Sequence, residues 1–210
     1  IRDSDAAFRE DIKALDIPAV AITRETDQMD CVYIEHAEAG AQVAEHLKSV
    51  GCEYYIFVGT TEDKKYLGFA ERMKEADPYF EQKLTLIETK NSREMEGILK
   101  AHFDTHPGKT GIFAYNDRRA VQVHGILQKL GISMPGRAAL VGFDNTYTCE
   151  YLYPALSSVS QPNREMAEEA VNILIKNIEQ PDGRERVDHP MRAQVIVRES
   201  SEISEKERTK

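Results

Sequence analysis

The chain has 210 residues, 41% of them hydrophobic and 30% charged, with a net charge of −9; this is globular composition, on a length that buries a sizeable core. No stretch approaches the ~18 consecutive apolar residues of a membrane span, and the opening "IRDSDAAFRE" lacks an apolar signal core. The acidic balance repels a phosphate backbone, and the densest basic clusters, Lys64-Lys65 and Arg118-Arg119, are too short to line a groove, which argues against nucleic-acid binding by this chain itself.

The elements alternate from the start. Residues 4–15 carry Phe8, Ile12 and Leu15 at helical spacing, with Pro18 at the exit, and 19–23 ("AVAIT") reads as a strand. A short strand at 31–34 precedes a helix over about 37–50, with Gly40, Val43, Ala44 and Leu47 on one face and Gly51 as its stop. After the strand 54–59, a helix carries Tyr66, Phe69, Ala70 and Met73 and ends at Asp77-Pro78. The strand 84–88 leads to a helix opened by a capping box, Asn91 with Glu94. The strand 111–115 stops abruptly at Asn116-Asp117. The helix behind it turns Val123, Ile126, Leu127 and Leu130 inward and ends at Gly131. Further on come a strand at 138–143, a short strand or crossover at 156–160 and a helix over about 163–179. That helix is expected to bury Ala167, Ala170, Val171, Leu174 and Ile178. A turn at 180–183, a last strand at 193–199 and a polar tail complete the chain.

Strands alternating with helices imply parallel βαβ units, and the strands are continuous apolar runs, as expected where both sheet faces are covered. In such sheets ligands sit beyond the carboxyl ends of the strands. Thr23, Glu35, Gly59, Glu88, Asn116 and Asp144 all fall at those ends. Asn116 taken alone is also an ordinary helix cap; the matched Asp144, closing "AALVGFD", favours a shared rim.

Several stretches then combine. "GIFAYND", "LGISMPGRAALVGFDN", "PALSSVSQP" and "VIVRES" follow one another in the second half. "IPAVAI", "IEHAEAGAQVAEHLKSVGCEYYIFVG" and "KKYLGF" occupy the first. Together, over about residues 5–200, they resemble the effector-binding module of the LacI/GalR family of transcriptional regulators, with Asn145 where that family has a second Asp. The resemblance implies a two-lobed, periplasmic-binding-protein-like (type I) α/β fold, each lobe a parallel sheet flanked by helices. It also implies a small ligand held between lobes, three crossings of the chain (near Glu35, Gln161 and His189) and a homodimer. The lobes would be residues 1–34 with 163–188, and 35–162 with 189–200, leaving 201–210 as tail. The family's N-terminal helix-turn-helix and the first two βα units of the first lobe are not matched, so the chain is expected to be part of a longer regulator.

Ligand contacts carry over position by position as implications of that resemblance. Asn116 matches the Asn of the Asn-Asp motif and Asp144 the acid of the Gly-aromatic-Asp motif; both meet ligand hydroxyls. Lys65 takes the place of a cleft Arg, Thr23 of an Asp, and Gln161 matches the crossover Gln. Lysine lacks the bidentate fork of arginine, and Thr23 removes a charge. The implied function is a cytoplasmic repressor's sensing core. It would bind a sugar or sugar derivative and switch operator DNA affinity through an N-terminal domain outside this chain. The rival of the same fold is a sugar transporter's solute-binding protein, which needs a signal peptide or lipid anchor.

Other chemistry finds little support. Cys31, Cys52 and Cys149 form no C-x-x-C pair, and their odd count suits a reducing compartment rather than a disulfide framework. His102 and His106, four apart with Asp104 between them, make half a metal site at most and stand where histidine meets a helix C-terminus. No G-x-G-x-x-G, Walker A or G-x-S-x-G sequence occurs. Glu168-Glu169 falls on the polar face of a helix. An enzyme using Asp144 or Glu88 as a general base is the remote alternative; no catalytic residue, metal ligand or cofactor is assigned, and no membrane partner.

Overall fold

The structure is a computed structural model and describes residues 17–180 and 185–202. The helix expected over 4–15, most of the turn at 180–183 and most of the tail lie outside the described residues. In chain order the first elements are β1 (Val20–Thr23), β2 (Asp30–Ile34), α1 (His36–Ser49), β3 (Tyr54–Val58) and α2 (Lys64–Ala76). A 3-10 turn (Phe80–Lys83) follows, then β4 (Leu84–Ile87), α3 (Ser92–Thr105), β5 (Thr110–Ala114) and α4 (Asp117–Lys129). The last are β6 (Ala138–Phe143), the one-turn α5 (Thr148–Tyr151), β7 (Ser157–Ser160), α6 (Asn163–Glu179), β8 (Asp188–Met191) and β9 (Gln194–Ile196). The described residues fall into two compact units. One runs up to Glu35 and includes Pro162–Arg192; the other comprises His36–Gln161 and the residues from Ala193 on.

The smaller unit is a three-stranded parallel sheet in the order β1-β2-β8, with α6 packed on β1 and β2. Ala21 lies opposite Cys31, and Cys31 opposite Asp188. Strand β8 was not expected. It keeps Met191 opposite Ile34, so the chain leaves this unit after Arg192 rather than at His189. The buried face of α6 also differs from the expected one. Met166, Ala170, Ile173 and Asn177 point inward, whereas Val171 is 53% and Ile178 62% exposed. The inward arc is rotated by about one residue because a polar pair anchors it. Asn177 Nδ2 donates to Asp30 Oδ2 (2.6 Å), and Asp30 Oδ1 accepts from Val187 N (2.7 Å). Hydrophobic periodicity sees only the apolar half of such an anchor.

The larger unit is a six-stranded sheet in the order β4-β3-β5-β6-β7-β9. All neighbours are parallel except β7 and β9, where Val159 faces Val195 in an antiparallel ladder. The last strand is shorter than expected because side chains replace its ladder. Arg198 N donates to Ser157 Oγ (2.7 Å), Ser157 N to Ser200 Oγ (2.8 Å), and Ser200 Oγ to Leu140 O (2.6 Å).

The continuous apolar runs hide an alternation. Ile56, Val58, Ile112, Ala114 and Leu140 join Met95, Leu99, Val123 and Leu127 of α3 and α4 in one aliphatic core. Odd-numbered neighbours face the other way, where Phe57, Phe69, Phe80 and Phe113 form an aromatic layer with centroids 5.4–6.5 Å apart. On this second face α1 and α2 nearly touch. A Cβ on Gly40 would overlap the carbonyl of Lys65, and one on Gly68 the carbonyl of Ala37. Both glycines are there for proximity, and the close crossing fixes where α2 delivers Lys65.

Helix entry follows local side-chain chemistry. Asp63 Oδ1 accepts from Lys65 N (2.9 Å) at the start of α2. At α3, Asn91 Oδ1 accepts from Arg93 N and Glu94 N (3.0 and 3.2 Å). The expected capping box is only half made, since Glu94 accepts from Thr89 Oγ1 (2.5 Å) and Asn91 N donates to that same hydroxyl (3.1 Å).

Candidate functional site

Strand order locates the site before any side chain is considered. From β3 the sheet grows to β4 on one side and to β5 on the other. Connections leaving the ends of β3 and β5 therefore diverge, and the sheet opens a crevice at their carboxyl ends. Asn116 stands at the end of β5 and Lys65 in the first turn of the helix after β3.

The two are joined through one carbonyl. Lys65 Nζ donates to Tyr115 O (3.0 Å) and lies 3.8 Å from the centroid of the Phe143 ring, a cation–π contact. Lys65 is only 9% exposed, so it is no solvated surface charge. Burial lowers its pKa, opposed by the charges of Asp63, Asp144 and Asp117, none of which pairs with it within 4 Å. An ammonium has three N–H donors, and Tyr115 O uses one of them.

Asn116 caps α4. Its backbone is extended, and its Oδ1 accepts from Arg119 N (3.0 Å). That leaves its amide N–H pair without a hydrogen bond among the described residues, at the N-terminus of α4. Asp144, at the end of β6, has a left-handed backbone (φ 105°) although it is not glycine, and so has Asn145 (φ 47°). Non-glycine residues held there concentrate at functional sites. Gln161 Nε2 donates to Asp144 Oδ1 (2.9 Å), and the second carboxylate oxygen has no hydrogen bond among the described residues. Burial raises the Asp144 pKa, partly offset by the charge of Lys65.

Four of the five expected contacts, Lys65, Asn116, Asp144 and Gln161, thus belong to the larger unit, and two pairs of them share bonds or charge. Thr23 belongs to the smaller unit, at the end of β1. It also has a left-handed backbone (φ 74°), which for a β-branched residue is strongly disfavoured.

Sequence reasoning missed the group that holds this rim in place. Asp117 is 1% exposed. Its Oδ2 accepts from Thr146 N (2.6 Å), Thr146 Oγ1 (3.0 Å) and Cys149 Sγ (3.2 Å), and its Oδ1 from Ser158 Oγ (2.6 Å). One carboxylate therefore ties the start of α4, β7 and the turn after β6 together. Gly142 leaves the space, since a Cβ there would overlap Asp117 Oδ1. The Cys149 thiol is pushed up to about 11 by burial and by Asp117, which disfavours the nucleophilic thiolate. Asn145 suits its position as an amide. It donates to Ser160 Oγ (3.3 Å) and accepts from Arg198 (2.9 Å), using both ends of the amide.

The histidine pair lies elsewhere. His102 is buried between Thr85 Oγ1 (2.9 Å) and Thr110 Oγ1 (3.1 Å) and stacks on His106, which caps α3 through a bond to His102 O. Among the described residues no group of three His, Cys, Asp or Glu is placed to hold a metal, and no helix is long and apolar enough to cross a membrane.

The periplasmic binding protein-like domain family matches residues 44–201. The ribose operon repressor of Halalkalibacterium halodurans is 28% identical over 198 residues, 91% of this chain and 58% of the repressor. The HTH-type transcriptional regulator DegA of Bacillus subtilis is 32% identical over 174 residues, 80% of this chain and 51% of DegA. The chain spans about half the length of the curated relatives it matches. Among solved structures, a LacI family transcriptional regulator from Enterococcus faecium with bound ribose superimposes with a TM-score of 0.80 at 22% identity, covering 96% of this chain and 77% of that one.

Proposed function

The chain belongs to the periplasmic binding protein-like domain family, and from that premise we propose that it is the effector-sensing core of a LacI-type transcriptional repressor. The effector is a small polyhydroxylated molecule, a sugar or sugar derivative, bound at the crevice beyond β3, β5 and β6. Asp144 accepts from ligand hydroxyls, Asn116 and Lys65 donate to them, and Gln161 orients Asp144. Thr23 is a further contact, supported by the resemblance and by its left-handed backbone.

The observation that carries this reading is the set Lys65–Tyr115–Asn116 and Asp144–Gln161 at a topological switch point, with a strained backbone at Asp144. The named relatives are a repressor and a transcriptional regulator, which favours a sensor over a transporter's solute-binding protein. No turnover is expected, in line with the regulatory names of those relatives.

In this reading the whole protein is a cytoplasmic homodimer that carries its operator-reading domain outside this chain. Effector binding stabilises one arrangement of the sensing core, and the free-energy difference between arrangements sets operator affinity. The test is a titration of operator DNA with the intact protein in the presence of pentoses, hexoses and their derivatives. A ligand that changes operator affinity, and loses that effect in Asp144→Ala, supports the reading. If no ligand of this class raises the melting temperature or alters operator binding, the sensor assignment is wrong.

A further inference from the structure

Lys65 is a buried cation without a carboxylate partner. The residue is only 9% exposed, yet no carboxylate of the described residues lies within ion-pair distance of its ammonium. Buried lysines are ordinarily paired, because an uncompensated charge in the interior is costly. The acids whose charges reach it are Asp63, Asp144 and Asp117. Two of these are engaged elsewhere. Asp63 Oδ1 caps α2 through Lys65 N (2.9 Å), and Asp117 is saturated by Thr146, Cys149 and Ser158. Asp144 is not. Its Oδ1 accepts from Gln161 Nε2 (2.9 Å), and its other oxygen has no hydrogen bond among the described residues. The simplest arrangement is a Lys65–Asp144 ion pair, and it is not formed.

The residue immediately before Asp144 holds the ammonium instead. Lys65 Nζ stands 3.8 Å from the centroid of the Phe143 ring and donates to Tyr115 O (3.0 Å), while the Tyr115 ring is farther off, at 5.7 Å. The ammonium lies over the ring face, where the aromatic quadrupole is negative. Phe143 is fully buried, and His36 stacks beside it with centroids 5.8 Å apart and planes inclined by 26°. The ring is therefore fixed, and a cation–π contact shielded from water is at the strong end of its range. Strand β6 ends at this ring, and the chain turns through the left-handed backbone of Asp144 (φ 105°) directly after it.

The consequence is a donor and an acceptor within electrostatic reach that do not use each other. An ammonium carries three N–H groups, of which Tyr115 O takes one, and its side turned to Phe143 is occupied by the ring. A ligand hydroxyl both accepts and donates, so one hydroxyl, or two on neighbouring carbons, meets Lys65 and Asp144 together. An ion pair between the two would close that gap, and a ligand would bind only the fraction of molecules in which the pair is open.

We propose that Phe143 is a positioning residue of the effector site: its ring face retains Lys65, withholds the Lys65–Asp144 ion pair and leaves both groups open to ligand hydroxyls. The proposal rests on the sensor reading above and deepens it. In "VGFD" the acid is then the ligand contact, and the aromatic keeps the cation from capturing it.

The test is calorimetric titration of the intact protein with D-ribose, D-xylose and D-glucose, in wild type, Phe143→Tyr, Phe143→Leu and a protein carrying 3,4,5-trifluorophenylalanine at position 143. Fluorination keeps the shape of the ring and removes most of its hold on a cation. The sugar that wild type binds is expected to lose at least about tenfold in affinity in Phe143→Leu, the scale of a desolvated cation–π contact. Phe143→Tyr is expected to keep wild-type affinity, and the trifluoro protein to fall between. Crystals of ligand-free Phe143→Leu are expected to show Lys65 Nζ paired with the Asp144 carboxylate. Should Phe143→Leu fail to fold, the trifluoro protein carries both measurements. Equal affinity in all four proteins, or ligand-free structures in which the pair stays open without the ring's hold, overturns the proposal and leaves the sensor reading standing. A wild type that binds none of the three sugars tells against the sensor reading, and the ligand-free structures still decide whether the ring keeps the two charges apart.

Discussion

At the residue scale, single buried polar groups carry this structure. Asp117 accepts four hydrogen bonds from Thr146, Cys149 and Ser158, and its removal strands those donors in the interior. Asp117→Ala is expected to destabilise the larger unit by about 2–4 kcal/mol in chemical denaturation, with Asp117→Asn less severe because its single oxygen still accepts. The sequence displayed Asp117 beside Asn116, but nothing in the local pattern says which of two adjacent polar residues turns inward. Only the partners, 29 to 41 residues downstream, decide that. His102 makes a second prediction. Burial, with the charges of His106 and Arg137, lowers its pKa to about 4, from an ordinary value near 6.5. The unfolded chain therefore binds more protons between those two values, so stability rises with pH across that window and is lost as pH falls through it. His46 and His124, also lowered by burial, act in the same direction. The thermal midpoint is expected to drop between pH 7 and pH 5, and His102→Asn to flatten that slope. An unchanged slope in the variant would place the titration elsewhere.

At the element scale, two glycines in similar helical settings give opposite expectations. Gly68 lies where α2 meets α1, and a Cβ there would overlap the Ala37 carbonyl; Gly97 lies mid-helix in α3 with nothing within 4 Å of an added Cβ. Helix propensity alone favours alanine at both, by up to about 1 kcal/mol. Gly97→Ala is expected to realise that gain. Gly68→Ala is expected to lose about 1–3 kcal/mol through overpacking and to displace Lys65, one turn earlier on α2. Equilibrium unfolding of the two variants checks the difference in sign. The same contrast explains what was legible in the sequence. Strand and helix order in the larger unit could be read because each run is bounded by its own cap or glycine, as at Asn91, Asn116 and Gly131. The inward face of α6 and strand β8 could not, because Asn177 and Asp188 take their places through partners about 150 residues away, Asp30 and Cys31. Periodicity averages over apolar residues and has no access to such pairs.

At the scale of the whole molecule, the two units differ in how much of their sheet is enclosed. In the larger unit β5 is wholly buried and hydrogen-bonded on both sides, to β3 and β6. In the smaller unit β1 pairs with β2 alone among the described residues and keeps Ile22 and Thr23 exposed. Local opening free energies follow enclosure. Amide hydrogen exchange in the intact protein is therefore expected to be slowest at Ile112 and Phe113 and at least about 100-fold faster in β1. Effector adds a second layer to the same measurement. A ligand bound by Lys65, Asn116 and Asp144 slows exchange at the β5–α4 junction, where the first-turn N–H groups of α4 become acceptor-bound. A ligand that also touches Thr23 slows exchange at Ile22 and Thr23, because holding a strained left-handed residue in place suppresses the fraying of β1. Protection at the junction without protection in β1 removes Thr23 from the set of contacts and confines recognition to the larger unit. Protection at both, lost in β1 alone on Thr23→Ala, makes the small unit's strand end part of the switch.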